Sequence, residues 1–156
     1  MRRFVLAAAA ILALALPGSA QTSTQPQVFT SHDMNQQLTG LVAKAKAAGI
    51  SGTILGDYGT HIVQLSVRTK DGQVEIHAHY SDVMIVTEGH ATLITGGTVV
   101  DPHPGANGET RGKSITGGKS QVVHVGDILQ IPAGVPHQLL VPAGTTYTSI
   151  VIKVRQ

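Results

Sequence analysis

The chain has 156 residues, with 11 Lys and Arg, 9 Asp and Glu, 8 His and no Cys. The lack of cysteine excludes disulfide staples, thiolate catalysis and Cys-based zinc sites, and leaves histidine as the side chain for metal or proton chemistry. Two of the basic residues, Arg2 and Arg3, open the chain, and the rest is balanced in charge with Phe29, Tyr58, Tyr80 and Tyr147 as its aromatics, which excludes a basic or base-stacking nucleic-acid surface.

In chain order, residues 1–20 read as a secretory signal. Arg2 and Arg3 precede an apolar run over 4–16, and Pro17-Gly18-Ser19-Ala20 supplies small residues at a cleavage point before Gln21. A bilayer span needs about 20 apolar residues, and no other run is comparable, so a multi-pass membrane protein is excluded. The expectation is an exported protein, periplasmic or extracellular, with no membrane association after signal cleavage. Residues 21–55 form an N-terminal extension that starts as an extended, polar lead-in containing Pro26. Met34, Leu38, Leu41, Val42 and Ala45 then recur at helical spacing and predict a helix over 33–48. Asp33 and Gln36 resemble a capping box, and Gly49 stands where a C-terminal cap belongs. The apolar stripe of this helix must be covered, by its own domain or by a second copy in a homodimer.

Residues 56–156 carry strand texture. Ile62, Val63, Leu65 and Val67 lead into Lys70-Asp71-Gly72-Gln73, which reads as a hairpin turn. Strands are expected at 74–79, 83–87, 90–95 and 98–100. Pro102 to Lys113 reads as a long solvated loop containing Glu109 and Arg111. Further strands are expected at 121–125, 128–131, 138–141 and 145–154. Short strands with regular turn residues predict an all-β sandwich or barrel.

Two segments carry chemistry. His77-Ala78-His79 places imidazoles at i and i+2, on one face of a strand. A divalent ion takes two such nitrogens at about 2.0–2.2 Å when neighbouring strands supply the other ligands. The pair alone is unspecific in a His-rich chain. Gly126, Pro132, Gly134 and His137 spell G-x5-P-x-G-x2-H, which is far more specific. Gly126-Asp127 turns into a strand, Pro132-Ala133-Gly134 closes a tight loop, and Pro136 fixes the backbone ahead of His137.

These segments resemble the two motifs of the cupin family, G-x5-H-x-H-x3,4-E-x6-G and G-x5-P-x-G-x2-H-x3-N. The second is matched from Gly126 to His137, with Val141 in place of the Asn. The first aligns as Gly72-x4-His77-x-His79-x2-Asp82-x6-Gly89, with both flanking spacings one residue short. The resemblance covers about residues 56–156. It implies a double-sheet, jelly-roll antiparallel barrel with one N-terminal α-helix, and one divalent metal ion (Fe, Mn, Ni or Zn) in its lumen. It also implies that His77, His79 and His137 are nitrogen ligands and Asp82 an oxygen ligand. The alternative for Asp82 is a cap on the turn at Tyr80-Ser81. Glu75 shares a strand face with His77; it is a replacement candidate for Asp82 as the oxygen ligand, but is expected to be solvated near the barrel mouth. His32, His61, His90, His103 and His124 are expected at the surface. Two functions fit: a metal-dependent enzyme acting on a small molecule, or a non-catalytic module binding a metal or small ligand.

Overall fold

Thr30 starts the first element in a computed structural model that describes residues 25–156. The expected signal at 1–20 lies outside the described residues. Thr30 is extended, its Oγ1 accepts from Asp33 N–H at 3.1 Å and donates to the Asp33 carboxylate at 2.7 Å. The N-cap is therefore Thr30, with Asp33 in the first turn, and α1 (Ser31–Ala48) begins two residues before its expected start. At its end Gly49 adopts φ 90° and donates its N–H to Ala45 O, which satisfies a carbonyl the helix would leave open.

Thirteen strands follow: β1 (Ile50–Asp57), β2 (His61–Arg68), β3 (Val74–His77), β4 (Tyr80–Glu88), β5 (His90–Thr95), β6 (Thr98–Val100), β7 (His103–Pro104), β8 (Glu109–Gly112), β9 (Ser114–Thr116), β10 (Lys119–His124), β11 (Ile128–Ile131), β12 (His137–Leu140) and β13 (Tyr147–Arg155). They form a five-stranded sheet ordered β1-β2-β13-β4-β11 and a six-stranded sheet ordered β10-β5-β12-β3-β8-β7, with a small β6-β9 ribbon. Every pairing is antiparallel. The architecture is the expected double-sheet jelly roll.

Two apolar clusters hold the layers. Met84, Val86, Leu129, Ile131, Tyr147 and Val151 of the first sheet pack against Ala91, Val123 and Leu139 of the second. On the outer face of the five-stranded sheet, Leu65 and Val67 of β2 pack against Leu41 and Ala45 of α1. Alternation along β2 then turns Gln64, Ser66 and Arg68 towards the cavity between the sheets. The helix thus covers its stripe on its own barrel, and Ser51 Oγ and Thr69 Oγ1 donate to Leu41 O and Ala45 O at 2.6 and 2.8 Å. Among the described residues, no helix is long and apolar enough to cross a membrane.

Three local expectations are corrected. The Asp71-Gly72 segment is no hairpin turn, because β2 and β3 belong to different sheets. Its residues cross between them: Asp71 Oδ1 accepts from Val141 N–H and Gly72 N–H donates to Leu139 O, both at 2.8 Å. β1 is an additional strand, interrupted by a bulge between Ile54 and Gly56, and the sheet therefore begins at Ile50 rather than at 56. The 102–113 segment is not a bare loop, since it contains β7, a 3-10 turn at Ala106–Gly108, and β8, which pairs with β3.

Candidate metal centre

Strand register builds the site. His137 of β12 lies opposite Glu75 of β3, and Glu75 lies opposite Arg111 of β8. Residues paired across a sheet share a face, so one rung presents His137, Glu75 and Arg111 together. Two residues along β3, on the same face, His77 lies opposite Glu109. From the facing sheet, Asp82 of β4 is paired with Lys153 of β13. The loop ahead of His137 is fastened to β3 as well, since Gly134, at φ 78°, donates its N–H to His77 O at 2.9 Å. The turn residues of the second motif thereby set His137 beside His77, with ring centroids 5.2 Å apart.

Ligand atoms of Glu75, His77 and His137 all lie within 4.8 Å of one another. Asp82 Oδ2 is 3.4 Å from His77 Nε2 and 3.8 Å from His137 Nε2. Both histidines and Asp82 are buried. The Nδ1 atoms are committed: His77 Nδ1 lies 2.7 Å from both oxygens of Glu109, and His137 Nδ1 lies 3.1 Å from Val135 O. A carboxylate or carbonyl oxygen accepts, so in each ring Nδ1 donates. In the neutral rings Nε2 then carries the lone pair. Both Nε2 atoms are buried without a hydrogen-bond partner. Two imidazole nitrogens, each offering a lone pair when its ring is neutral, and two carboxylates close to them match the donor set of a divalent transition metal.

His79 stands apart from this group. β3 ends at His77, and Ala78 and His79 form the turn into β4, with His79 exposed. The i and i+2 residues that share the inner face are Glu75 and His77, not His77 and His79. With Glu75 and His77 in the two histidine slots of the motif, His77-x4-Asp82-x6-Gly89 falls within the motif's spacing, although Thr69 then stands where the opening glycine is expected. Glu75 is not solvated at the mouth: Oε1 and Oε2 lie 2.7 and 2.8 Å from Arg68 and Arg111. Nor are Glu109 and Arg111 parts of a solvated loop. The sequence reading missed Lys153, whose ammonium donates to Asp82 Oδ1 at 2.8 Å. Its only signal is the alternation of β13, which places a lone Lys on the inner face.

Electrostatics follow from this packing. Burial disfavours the His77 imidazolium, but Asp82 and Glu75 at 3.4 Å override it and hold its pKa up at about 9. Burial also acts against the Glu75 carboxylate, yet His77, Arg68 and Arg111 hold its pKa far below the carboxylate range. Asp82 is likewise lowered, against burial, by His77 and Lys153. For His137 burial dominates and lowers the pKa, which keeps the ring neutral and ready to ligate.

The remaining histidines lie away from this centre. His90 and His124 stack across β5 and β10 with centroids 6.2 Å apart, both exposed. His103 is exposed beside Asp101. Val141, in the motif's Asn slot, is a buried core residue.

No protein-family model matches the sequence, and no curated protein matches it. Solved structures do. TT1209 from Thermus thermophilus is 14% identical at a TM-score of 0.55, over 76% of this chain and 93% of that one. Rru_A2000 from Rhodospirillum rubrum, described as a cupin-2 domain, is 14% identical at 0.49, over 69% of this chain and 62% of that one. The DMSP lyase DddQ from Ruegeria pomeroyi is 14% identical at 0.48, over 67% of this chain. This chain spans only 46% of the lyase's length. At such identities the likeness is one of fold. What the chain shares with these structures is therefore its architecture, two facing antiparallel sheets, and here a cluster of histidines and carboxylates lies between them.

Proposed function

We propose that this protein is a metal-binding cupin whose divalent ion is held by Glu75, His77 and His137, with Asp82 as fourth donor, and which acts on a small molecule at that site. The observation that carries this reading is the pair of buried Nε2 atoms without a hydrogen-bond partner, with Glu75 Oε2 and Asp82 Oδ2 each 3.4 Å from His77 Nε2. A bound divalent ion of this kind polarises a ligand oxygen or activates water. The chain's own residues do the rest. Glu109 and Val135 O fix the ring orientations of His77 and His137. Lys153 holds Asp82, and Arg68 with Arg111 holds Glu75. A mixed imidazole and carboxylate set suits Fe, Mn, Ni or Zn.

A cavity of about 560 Å³ between the sheets reaches Glu75 and His77 and gives a small molecule access. The test is metal content of the protein after loading, followed by a screen of small molecules for turnover and for binding. One ion per chain with turnover supports an enzyme, and one ion with ligand binding but no turnover supports a binding module. Failure to bind any of the four metals contradicts both. The N-terminal apolar run further supports export, which predicts a mature protein beginning at Gln21 in the periplasm or medium.

A further inference from the structure

We infer that the small molecule taken by this site is a short-chain carboxylate, its charge received by Arg111 beside the metal and its apolar part laid along Ile50 and Ile54. This rests on the metal-binding reading above and names the ligand class of that site.

The cavity has two unlike walls. From the six-stranded sheet, Glu75, Glu109 and Arg111 face it. From the other sheet, β1 contributes Ile50 and Ile54, which are paired with Arg68 and Gln64 and so share the cavity-facing side. Ile50 and Ile54 are 48% and 61% exposed. Large aliphatic side chains left open on the inner wall of a ligand cavity supply contact area for an apolar group.

Charge decides the other half of the ligand. The walls and floor hold three fixed cations, Arg68, Arg111 and Lys153. They also hold two carboxylates, Glu75 and Glu109, and a third, Asp82, lies buried behind Lys153. Each carboxylate near the two histidines is already neutralised by a fixed cation. A divalent ion therefore brings two positive charges that the protein does not balance. Any share of the Glu75 charge taken by the ion is withdrawn from Arg68 and Arg111. Uncompensated charge in a half-buried site is costly, and an anionic ligand removes that cost.

Arg111 is the group placed to receive it. Its side chain is 42% exposed, so it reaches open cavity, while its buried Nη1 is ion-paired with Glu75 Oε2 at 2.8 Å, a contact that an ion drawing on the Glu75 charge would loosen. Its hydrogen bond to Glu109 from Nη2 is long, at 3.3 Å. A guanidinium fork has five N–H donors and fits a carboxylate with two parallel bonds. The apolar wall favours a ligand with a single charged end over inorganic phosphate, which has no apolar part.

The test titrates isovalerate, isovaleramide, acetate and inorganic phosphate into the metal-loaded protein by calorimetry, with metal content measured on the same samples. The expected result is isovalerate binding at least about tenfold tighter than its amide or acetate. Arg111→Gln, compared with the parent at full and equal metal loading, should lose about tenfold in isovalerate affinity, and Arg111→Lys should lose less. Ile50→Ser with Ile54→Ser should bring isovalerate down to the acetate level. Equal binding of the amide, tighter binding of phosphate, or an unchanged Arg111→Gln affinity would overturn the inference while leaving the metal reading intact. Absence of metal from the loaded parent would overturn both. The parent ligand series decides the matter even if a variant fails to fold.

Discussion

Glu109 grips His77 across the β3–β8 pair, with both carboxylate oxygens 2.7 Å from Nδ1. The contact fixes the ring so that Nε2 faces Glu75 and Asp82. It also raises the basicity of the nitrogen left to bind an ion. Glu109→Gln keeps the shape and removes the charge. It should weaken metal affinity by about tenfold or more, measured by competition with a chelator of known affinity. An unchanged affinity would mean that Glu109 does not orient the ring.

The raised His77 pKa makes metal uptake a competition with a proton. Below about 9, each unit of falling pH should cost about a factor of ten in apparent affinity, with one proton released per ion bound. His137 adds no such competition, because burial lowers its pKa. Calorimetry in buffers of different ionisation enthalpy reads the proton directly. A pH-independent affinity between roughly pH 6 and 8 would contradict the account.

The same shift fixes how the metal-free protein responds to pH. His77 is raised above its usual 6.5, so its contribution to stability is complete below 6.5 and is lost as pH rises through about 9. Asp82 is lowered, so its contribution is present above its usual 3.8 and is lost as pH falls below it. The melting temperature of the metal-free protein should therefore fall between pH 6.5 and 9. Metal should reverse that fall, because the bound ion replaces the proton.

Lys153 sets the two states against each other. Its ammonium lies 2.8 Å from Asp82, which is only 2% exposed. Lys153→Met leaves that carboxylate without a fixed cation, facing only the imidazoles of His77 and His137. The metal-free variant should lose about 3 kcal/mol of stability, because removing one member of a buried pair strands the other. Loaded with metal it should recover most of that loss, and its metal affinity should rise. Denaturant titrations with and without metal measure both effects.

How much of this could be read from residue order depends on how local each cause is. The second motif was legible because turn chemistry is local. Gly134 at positive φ and the prolines around it determine where His137 emerges. Gly89 is legible for a related reason: it sits at φ 72°, and a Cβ there would meet Thr146 O at 2.2 Å. Glu75, Glu109 and Lys153 were missed or set aside because their roles come from register between strands distant in sequence. Nothing in the order of residues 74–79 says that β3 stops at His77. That end point decides whether Glu75 or His79 shares the inner face. The Asp71-Gly72 pair misled for a similar reason, since its side chain and backbone bond to β12 and the residue after it rather than closing a hairpin.

The measurement that bears most directly on the centre is metal affinity of three variants, Glu75→Gln, His77→Ala and His79→Ala, against the parent under identical loading. The account predicts that His79→Ala binds one ion as tightly as the parent, that Glu75→Gln binds at least about tenfold more weakly, and that His77→Ala binds none. Loss of the ion in His79→Ala, with Glu75→Gln unaffected, would contradict it.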